Sequence, residues 1–172
     1  GNKLRVCIAG AGETGLFLAQ QLEMRRHDVT LIDKNRTRLE EIGEYLGKTK
    51  LLNGDATNIQ FLREERISDC DYFIATTGDD EDNVMSALLA RELKIRKTAC
   101  MIDRPDYARV VEKVGIDIAL SPRIIAANRV MTLVKQGKIR SVTLLEDGEV
   151  EVTEYQALSK SQIVGTPLKD IE

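Results

Sequence analysis

The chain begins with a short apolar segment that leads directly into three closely spaced glycines. Leu4 to Ala9 is typical of a buried strand, and Gly10, Gly12 and Gly15 follow it in the spacing GxGxxG. In a strand–turn–helix unit, the first glycine permits a tight turn, the second lets a pyrophosphate approach the backbone, and the third allows close packing of helix on strand. A helix over about residues 13–26 would then direct its free N–H groups and its positive dipole end at the phosphates. The segment predicts a dinucleotide-binding unit.

An acidic residue follows the second predicted strand, as such a unit requires. The apolar run Val29 to Ile32 ends in Asp33, eighteen residues after Gly15. An acid at this place accepts hydrogen bonds from the ribose hydroxyls and favours a free 2′-hydroxyl over a 2′-phosphate. We therefore rank NAD(H) above NADP(H). Arg36 keeps the second alternative open, because an arginine just past the acid can receive the 2′-phosphate.

Composition limits the class of protein. The chain has 172 residues, of which 42% are hydrophobic, which suits one domain with a small appendage. A formal net charge of −3 and the lack of a Lys/Arg-rich block argue against a nucleic-acid partner. No apolar run reaches the roughly 18–20 residues of a membrane span, and the N-terminus is unlike a signal peptide, so we expect a soluble, cytosolic protein. Cys7, Cys70 and Cys100 are scattered, which favours reduced thiols over a disulfide framework or a zinc site.

Apolar and amphipathic segments alternate up to Leu120. The predicted strands cover residues 4–9, 29–32, 50–53, 72–77, 98–102 and 117–120. Helices are predicted between them, with Gly47 suited to end the second, Thr57 to cap the third, and Pro105 to begin the fifth. Such alternation requires parallel crossovers. We therefore predict an α/β fold with a doubly wound, six-stranded parallel sheet of Rossmann-like type and strand order 3-2-1-4-5-6.

The pattern changes after the sixth strand. Residues 122–137 predict a crossover helix that is apolar around more than one stripe, which favours burial against another subunit. Its apolar positions are Ile124, Ile125, Ala127, Val130, Met131 and Val134. Residues 141–145 and 150–155 predict a hairpin around the turn 146–149. We expect one domain over residues 1–137, and over residues 138–172 the hairpin and the start of a second, small α+β domain that is cut at Glu172.

Four motifs carry a resemblance to a known family. They are VCIAGAGETG at residues 6–15, NGDAT at 53–57, ATTGDDEDN at 75–83 and GIDIALSP at 115–122. Together they resemble the RCK or KTN (TrkA-N) domain, and most closely the second of two tandem units in the nucleotide-binding regulatory subunit of bacterial Trk-type potassium uptake systems. The resemblance covers about residues 3–137, and the tail is similar to the start of that family's small C-terminal domain.

The resemblance implies a cytosolic sensor, peripheral to the inner face of the cell membrane, that forms a homodimer and possibly a larger ring beneath a potassium transporter. Binding of an adenine nucleotide would move the pore. The glycines would bind phosphates, Asp33 the ribose, and Asp55 with Ala56 the adenine. Residues 76–78 would line the crevice at the carboxyl edge of the sheet, where open α/β sheets bind ligands, and Arg104 would reach toward it. The candidate cofactor-binding residues are Gly10, Ala11, Gly12, Glu13, Thr14, Gly15, Asp33, Lys34, Asp55, Ala56, Thr76, Thr77, Gly78 and Arg104.

Glu13 bears on the choice of nucleotide. Some relatives that prefer ATP carry a basic residue within the glycine loop, whereas this chain has Glu13 there. Two like charges about 4 Å apart repel by roughly 1 kcal/mol even in water. Glu13 therefore favours NAD(H) over ATP or ADP, which stay as alternatives.

The alternative function is the cofactor-binding half of an NAD-dependent dehydrogenase. Such an enzyme needs a proton donor or base beside the nicotinamide. The single histidine, His27, lies in a polar turn, and no lysine follows Tyr45, Tyr107 or Tyr155 by four residues. We therefore predict no enzyme activity and no catalytic residue. The acidic run at residues 79–82 begins a helix, where negative charge is stabilised without a metal, so we predict no metal site.

Overall fold

The computed structural model describes residues 1–137, 139–144 and 150–154. Strands and helices alternate along residues 1–122, as the sequence predicts. A single 3₁₀ turn, Ile67–Asp69, precedes the fourth strand. The strands and helices of this part are β1 (Arg5–Ala9), α1 (Glu13–Met24), β2 (Asp28–Asp33), α2 (Arg36–Gly43), β3 (Lys50–Asn53), α3 (Ile59–Glu64), β4 (Tyr72–Ala75), α4 (Asp80–Glu92), β5 (Lys97–Met101), α5 (Pro105–Lys113) and β6 (Ile118–Leu120).

The described strands of this part form one six-stranded sheet in the order β3-β2-β1-β4-β5-β6. All five strand pairs are parallel. The predicted doubly wound sheet and its strand order are therefore confirmed. Chain order reverses between the neighbours β1 and β4, and this switch point opens a crevice at the carboxyl ends of the strands.

Apolar side chains cover both faces of β1. Cys7 and Ala9 belong to a buried cluster that also contains residues of α3, α4 and α5. Val6 and Ile8 belong to a second cluster, which α1 and α2 complete. This separation follows from the alternation of side chains along a strand. Because β1 is packed on both faces, the position at which the glycine turn begins is fixed.

Two helix ends differ from the sequence prediction. Helix α2 ends at Gly43, four residues before Gly47, so the prediction that Gly47 ends the helix is wrong. The N–H group of Gly47 instead donates to the Glu23 carboxylate of α1. Helix α3 begins after Asn58, whose side chain accepts from the N–H group of Phe61.

The prediction that Thr57 caps α3 is therefore also wrong. Thr57 instead donates its hydroxyl to the carboxylate of Asp55, at 2.6 Å. A cap needs a free side-chain oxygen acceptor in the right place, and Asn58 provides it one residue later. Pro105 does begin α5, as predicted.

Contacts divide the chain into two compact units, Gly1–Pro122 and Arg123–Glu172. After the sheet come α6 (Pro122–Lys135) and an antiparallel pair of strands, β7 (Ile139–Leu144) and β8 (Val150–Glu154). The predicted hairpin strands are present. The turn of the hairpin and the tail from residue 156 lie outside the described residues. The division into domains 1–137 and 138–172 stays a prediction.

None of the helices that the structure describes combines the length and the hydropathy of a membrane span.

Candidate functional site

The glycine turn after β1 has two glycines that the fold requires and one that it does not. Gly10 has a φ of 112°, where side chains are disfavoured. A Cβ on Gly15 would overlap the carbonyl oxygen of Gly10. A Cβ on Gly12 would meet no atom of the described chain within 4 Å. The space beside Gly12, at the start of α1, is therefore open for a ligand to approach the backbone.

Thr76 forms hydrogen bonds to the backbone of this turn. Its hydroxyl lies 3.2 Å from the carbonyl oxygens of both Ala9 and Gly10, and only 8% of the residue is exposed. Thr76 and its two neighbours are predicted to line the ligand crevice. In the structure its side chain points to β1 instead, so its contribution to the site is to position the glycine turn.

Asp33 joins the end of β2 to the glycine turn. One carboxylate oxygen accepts from the N–H group of Ala11 and the other from that of Asn35, each at 2.8 Å. A carboxylate has about four lone-pair positions, so it retains acceptor capacity for the hydroxyls of a ribose. The predicted ribose-binding acid thus lies directly beside the predicted phosphate-binding turn.

Arg38 is a residue of the site that was not among the predicted candidates. Its Nε donates to the carbonyl oxygen of Ala11 at 2.7 Å, and its guanidinium lies 3.7 Å from Glu41. Asp33 and Arg38 therefore bind both backbone groups of Ala11. Arg36, the predicted alternative partner for a 2′-phosphate, is the exposed first residue of α2. No sequence signal distinguishes the two arginines, because the contact joins residues far apart in the chain.

A cavity of about 160 Å³ opens at the carboxyl edge of the sheet. It gathers candidates from the ends of four neighbouring strands, as the sheet order predicts. Those on its wall are Gly10, Asp33, Lys34, Asp55, Ala56 and Thr77. Helix α4 adds Asp82 and Ser86, which sequence reasoning missed. The acidic first turn of α4 was the available signal for Asp82.

Asp55 presents an ionised carboxylate to this cavity. The hydrogen bond from the Thr57 hydroxyl is the main cause of its lowered pKa, with further contributions from the Thr57 N–H group and the charge of Lys34, while burial acts in the opposite direction. The group therefore stays a hydrogen-bond acceptor at neutral pH. Such an acceptor can receive the N–H groups of a purine base.

Lys34 links the two sides of the cavity wall. Its ammonium lies 3.4 Å from the Asp82 carboxylate and 4.0 Å from that of Asp55. These two carboxylates, Asp55 first, raise the pKa of Lys34. The lysine offsets part of the negative charge that Asp33, Asp55 and Asp82 place around the cavity.

The acidic run at the start of α4 has structural contacts. Asp79 accepts from the N–H group of Asp82 as the helix cap. Asp80 accepts from the N–H groups of Asp103 and Arg104, at 2.9 and 3.2 Å. In the described part of the chain, no group of three or more His, Cys, Asp or Glu side chains could hold a metal ion.

Arg104 and Gly78 are candidates that the structure does not bring to the cavity wall. The Arg104 guanidinium binds Asp106 at 3.3 Å and lies 4.9 Å above the Tyr107 ring, so it lies over its own helix, α5. Glu13 and Thr14 are exposed residues of the first turn of α1.

Asn83 fixes the end of β4 against the end of β5. It is 1% exposed. Its amide oxygen accepts from the N–H group and the hydroxyl of Thr77, and its amide nitrogen donates to the carbonyl oxygens of Thr77 and Met101. This single side chain therefore sets the position of Thr77 on the cavity wall.

Comparisons with known proteins identify the family of this chain. Residues 6–122 match the family model of the TrkA-N domain. The Trk system potassium uptake protein trkA homolog 1 of Methanosarcina mazei is 37% identical over 172 residues, which are 99% of this chain but 42% of the relative. The TrkA homolog of Methanothermobacter thermautotrophicus is 36% identical over 166 residues, 96% of this chain and 76% of the relative. The chain thus spans less than half of the first relative's length.

Solved structures share the fold. The GsuK channel bound to NAD matches with a TM-score of 0.63 and 18% identity, over 85% of this chain and 26% of that one. GsuK bound to ADP matches with a TM-score of 0.66 and 20% identity, over 80% of this chain and 36% of that one. At this identity the likeness concerns the fold alone. The resemblance predicted from the four motifs is nevertheless confirmed by the family model and the relatives, and the chain belongs to the TrkA-N domain family.

Proposed function

We propose that this chain is a nucleotide-sensing regulatory domain that binds NAD(H) at the carboxyl edge of its sheet and thereby controls a membrane potassium transporter. The observation that carries the proposal is the open space at Gly12 next to a cavity with Asp33 and Asp55 on its wall. A turn that admits phosphates and two acids that accept from a ribose and a base are the groups that an adenine dinucleotide requires.

The ligand would follow the edge of the sheet. Its pyrophosphate would lie against Gly12 and the N-terminus of α1, where N–H groups and the helix dipole attract anions. Its ribose would donate to Asp33, and its adenine to Asp55, which has a lowered pKa. Ala56 and Thr77 would contact the nucleoside from the cavity wall.

Charge favours NAD(H) among the adenine nucleotides. A 2′-phosphate would approach the Asp33 carboxylate, and a terminal phosphate would approach the exposed Glu13. Both approaches bring like charges together, which disfavours NADP(H) and ATP. The NAD-bound and ADP-bound GsuK structures of the same fold support an adenine nucleotide, and ADP and ATP are the alternatives to compare.

Calorimetric titration of the full chain with NAD, NADH, NADPH, ATP and ADP tests the proposal. We expect NAD(H) to bind most tightly, and Asp33→Ala to weaken its binding by about 1–3 kcal/mol, because hydrogen bonds to a charged acceptor are lost. Asp28→Ala is the matched control, since it removes an acid from the other end of β2, where Asp28 pairs with Lys3 at 3.2 Å. Equal affinity of the Asp33 variant and the wild type would contradict the site.

We also propose a regulatory, non-enzymatic role beneath the inner face of the cell membrane, through a transporter subunit as partner. The names of the relatives, which are potassium uptake proteins, support this role. Incubating the chain with NADH and candidate carbonyl substrates distinguishes the regulatory role from the dehydrogenase alternative. Steady oxidation of NADH would overturn the regulatory role, and binding without turnover supports it.

We further propose a homodimer formed through α6. Four of its large apolar residues are strongly exposed: Ile125 at 52%, Val130 at 44%, Met131 at 50% and Val134 at 56%. Exposed apolar groups of this kind mark interaction surfaces. We expect Ile125→Asp with Val134→Asp to convert a dimer to a monomer in sedimentation, because buried unpaired carboxylates oppose association.

A control variant adds two charges to polar positions of the same helix. Asn128→Asp with Thr132→Asp should leave the dimer intact, since both residues are polar and exposed. A wild-type chain that sediments as a monomer at tens of micromolar, or a double apolar variant that stays dimeric, would refute the interface.

A further inference from the structure

Two of the three cysteines lie next to each other in the fold, although 63 positions separate them in the sequence. Cys7 is in the middle of β1 and has no exposed surface. Cys70 follows the 3₁₀ turn, is partly exposed, and packs against the buried cluster that contains Cys7. The N–H group of Asp71, the residue after Cys70, donates to the carbonyl oxygen of Arg5 in β1 at 2.7 Å, and the two thiols interact with each other. This juxtaposition is independent of the nucleotide cavity.

We propose that Cys70 and Cys7 are a redox pair, in which a peroxide oxidises Cys70 and Cys7 then resolves the product to an intramolecular disulfide. In the first step the Cys70 thiolate attacks hydrogen peroxide, the O–O bond breaks, and sulfenic acid and hydroxide form. In the second step the Cys7 sulfur attacks the Cys70 sulfur, the S–O bond breaks, and water leaves with the thiol proton. One peroxide is reduced to water for two thiols oxidised.

The environments of the two thiols assign their order. The hydrogen bond from Cys7 is the main cause of the lowered pKa of Cys70, and the charge of Arg5 adds to it. Burial and the carboxylates of Asp69 and Asp71 oppose this effect without reversing it. Burial raises the pKa of the Cys7 thiol. Reaction with an oxidant is favoured by a lowered thiol pKa and by access to solvent, and Cys70 has both whereas Cys7 has neither.

Cys100 serves as an internal reference. It is buried in β5, and burial, together with the charge of Asp80, raises its pKa to about 11. The reference thiol therefore stays protonated at neutral pH. We expect it to react with peroxide more slowly than Cys70, by on the order of tenfold or more.

Trypsin separates the three cysteines, because it would release residues 6–25, 67–91 and 98–109 as different peptides. The folded full chain is treated with hydrogen peroxide, alkylated and digested, and the masses of the peptides are measured by mass spectrometry. We expect residues 6–25 and 67–91 to appear as one linked species that has lost two hydrogens and that dithiothreitol separates. The peptide with Cys100 should remain alkylated.

Single variants distinguish the two roles. Cys7→Ser should stop at a sulfenic acid on Cys70, which dimedone traps, and Cys70→Ser should leave Cys7 reduced. Cys100→Ser is the matched control and should form the same disulfide as the wild type. Melting curves and circular dichroism establish that each variant is folded before it is oxidised.

Three results would overturn the proposal. They are equal oxidation of Cys100 and Cys70, a wild-type chain that stops at the sulfenic acid, and a disulfide that forms only between molecules. If a serine variant does not fold, the wild-type peptide map decides by itself, because the presence or absence of the linked 6–25 and 67–91 species answers the question.

Discussion

Replacing Gly12 with valine is expected to abolish nucleotide binding while the chain stays folded. A valine side chain there extends into open space, so it meets no part of the described fold but occupies the approach to the backbone of the turn. Gly15→Ala is expected to do the reverse and unfold the chain, since its Cβ overlaps the Gly10 carbonyl. Overpacking of a rigid site typically costs about 1–3 kcal/mol, and a backbone neighbour has little freedom to move away. Thermal denaturation and calorimetric titration measure the two effects separately.

Gly47→Val provides the control for inserting a valine at a glycine. A Cβ on Gly47 makes only an ordinary contact, at 3.8 Å, with the Glu23 carboxylate, and the residue is not on the cavity wall. This variant should both fold and bind the nucleotide. Undiminished affinity in Gly12→Val would exclude the glycine turn as the phosphate site, whatever the other variants show.

Asn83→Leu is expected to destabilise the chain more than any exposed substitution. It keeps most of the side-chain volume but leaves the N–H and C=O groups of Thr77 and the C=O group of Met101 without the partners described above. Each buried polar group that loses its partner costs about 1–3 kcal/mol. We expect the free energy of unfolding to fall by at least about 3 kcal/mol and the melting temperature by about 10 °C.

Urea denaturation measures this loss of stability, and Asn58→Ala is the control variant. Asn58 is an exposed cap with a single hydrogen bond to the N–H group of Phe61, so its removal should cost about 1 kcal/mol. If the midpoint of urea unfolding is the same for Asn83→Leu and the wild type, the Asn83 amide does not hold β4 and β5 together. Because Thr77 is on the cavity wall, the variant should also bind the nucleotide more weakly.

The strands and their order could be predicted because they depend on local signals. Apolar runs bounded by glycine or charged residues define the strands, and alternation with helices indicates parallel crossovers. Asp33 and Asp55 follow directly from this, since Asp33 ends one strand, Asp55 follows another, and parallel strands end at the same edge. Once the order β3-β2-β1 is known, these two acids must be neighbours.

The remaining contacts of the site depend on directions that sequence spacing does not contain. Thr76 and Thr77 are adjacent and chemically identical, yet the Thr76 hydroxyl binds the carbonyl oxygen of Ala9 in β1 and the Thr77 hydroxyl binds the amide of Asn83 in α4. Arg38 and Asp82 reach the site from helices, and their contacts join residues 27 and 48 positions apart. Asn58 caps α3 in place of Thr57, whose hydroxyl donates to Asp55.

The double attachment of Ala11 has a consequence for the kinetics of ligand binding. The N–H group of Ala11 is bound by Asp33 and its carbonyl by Arg38, so side chains of the protein itself hold the turn without a phosphate. A preorganised backbone loses little conformational entropy on association, so more of the contact energy is retained as affinity. Encounter with the phosphates should therefore need no slow rearrangement of the turn, and differences in affinity between nucleotides should reside mainly in their dissociation rates.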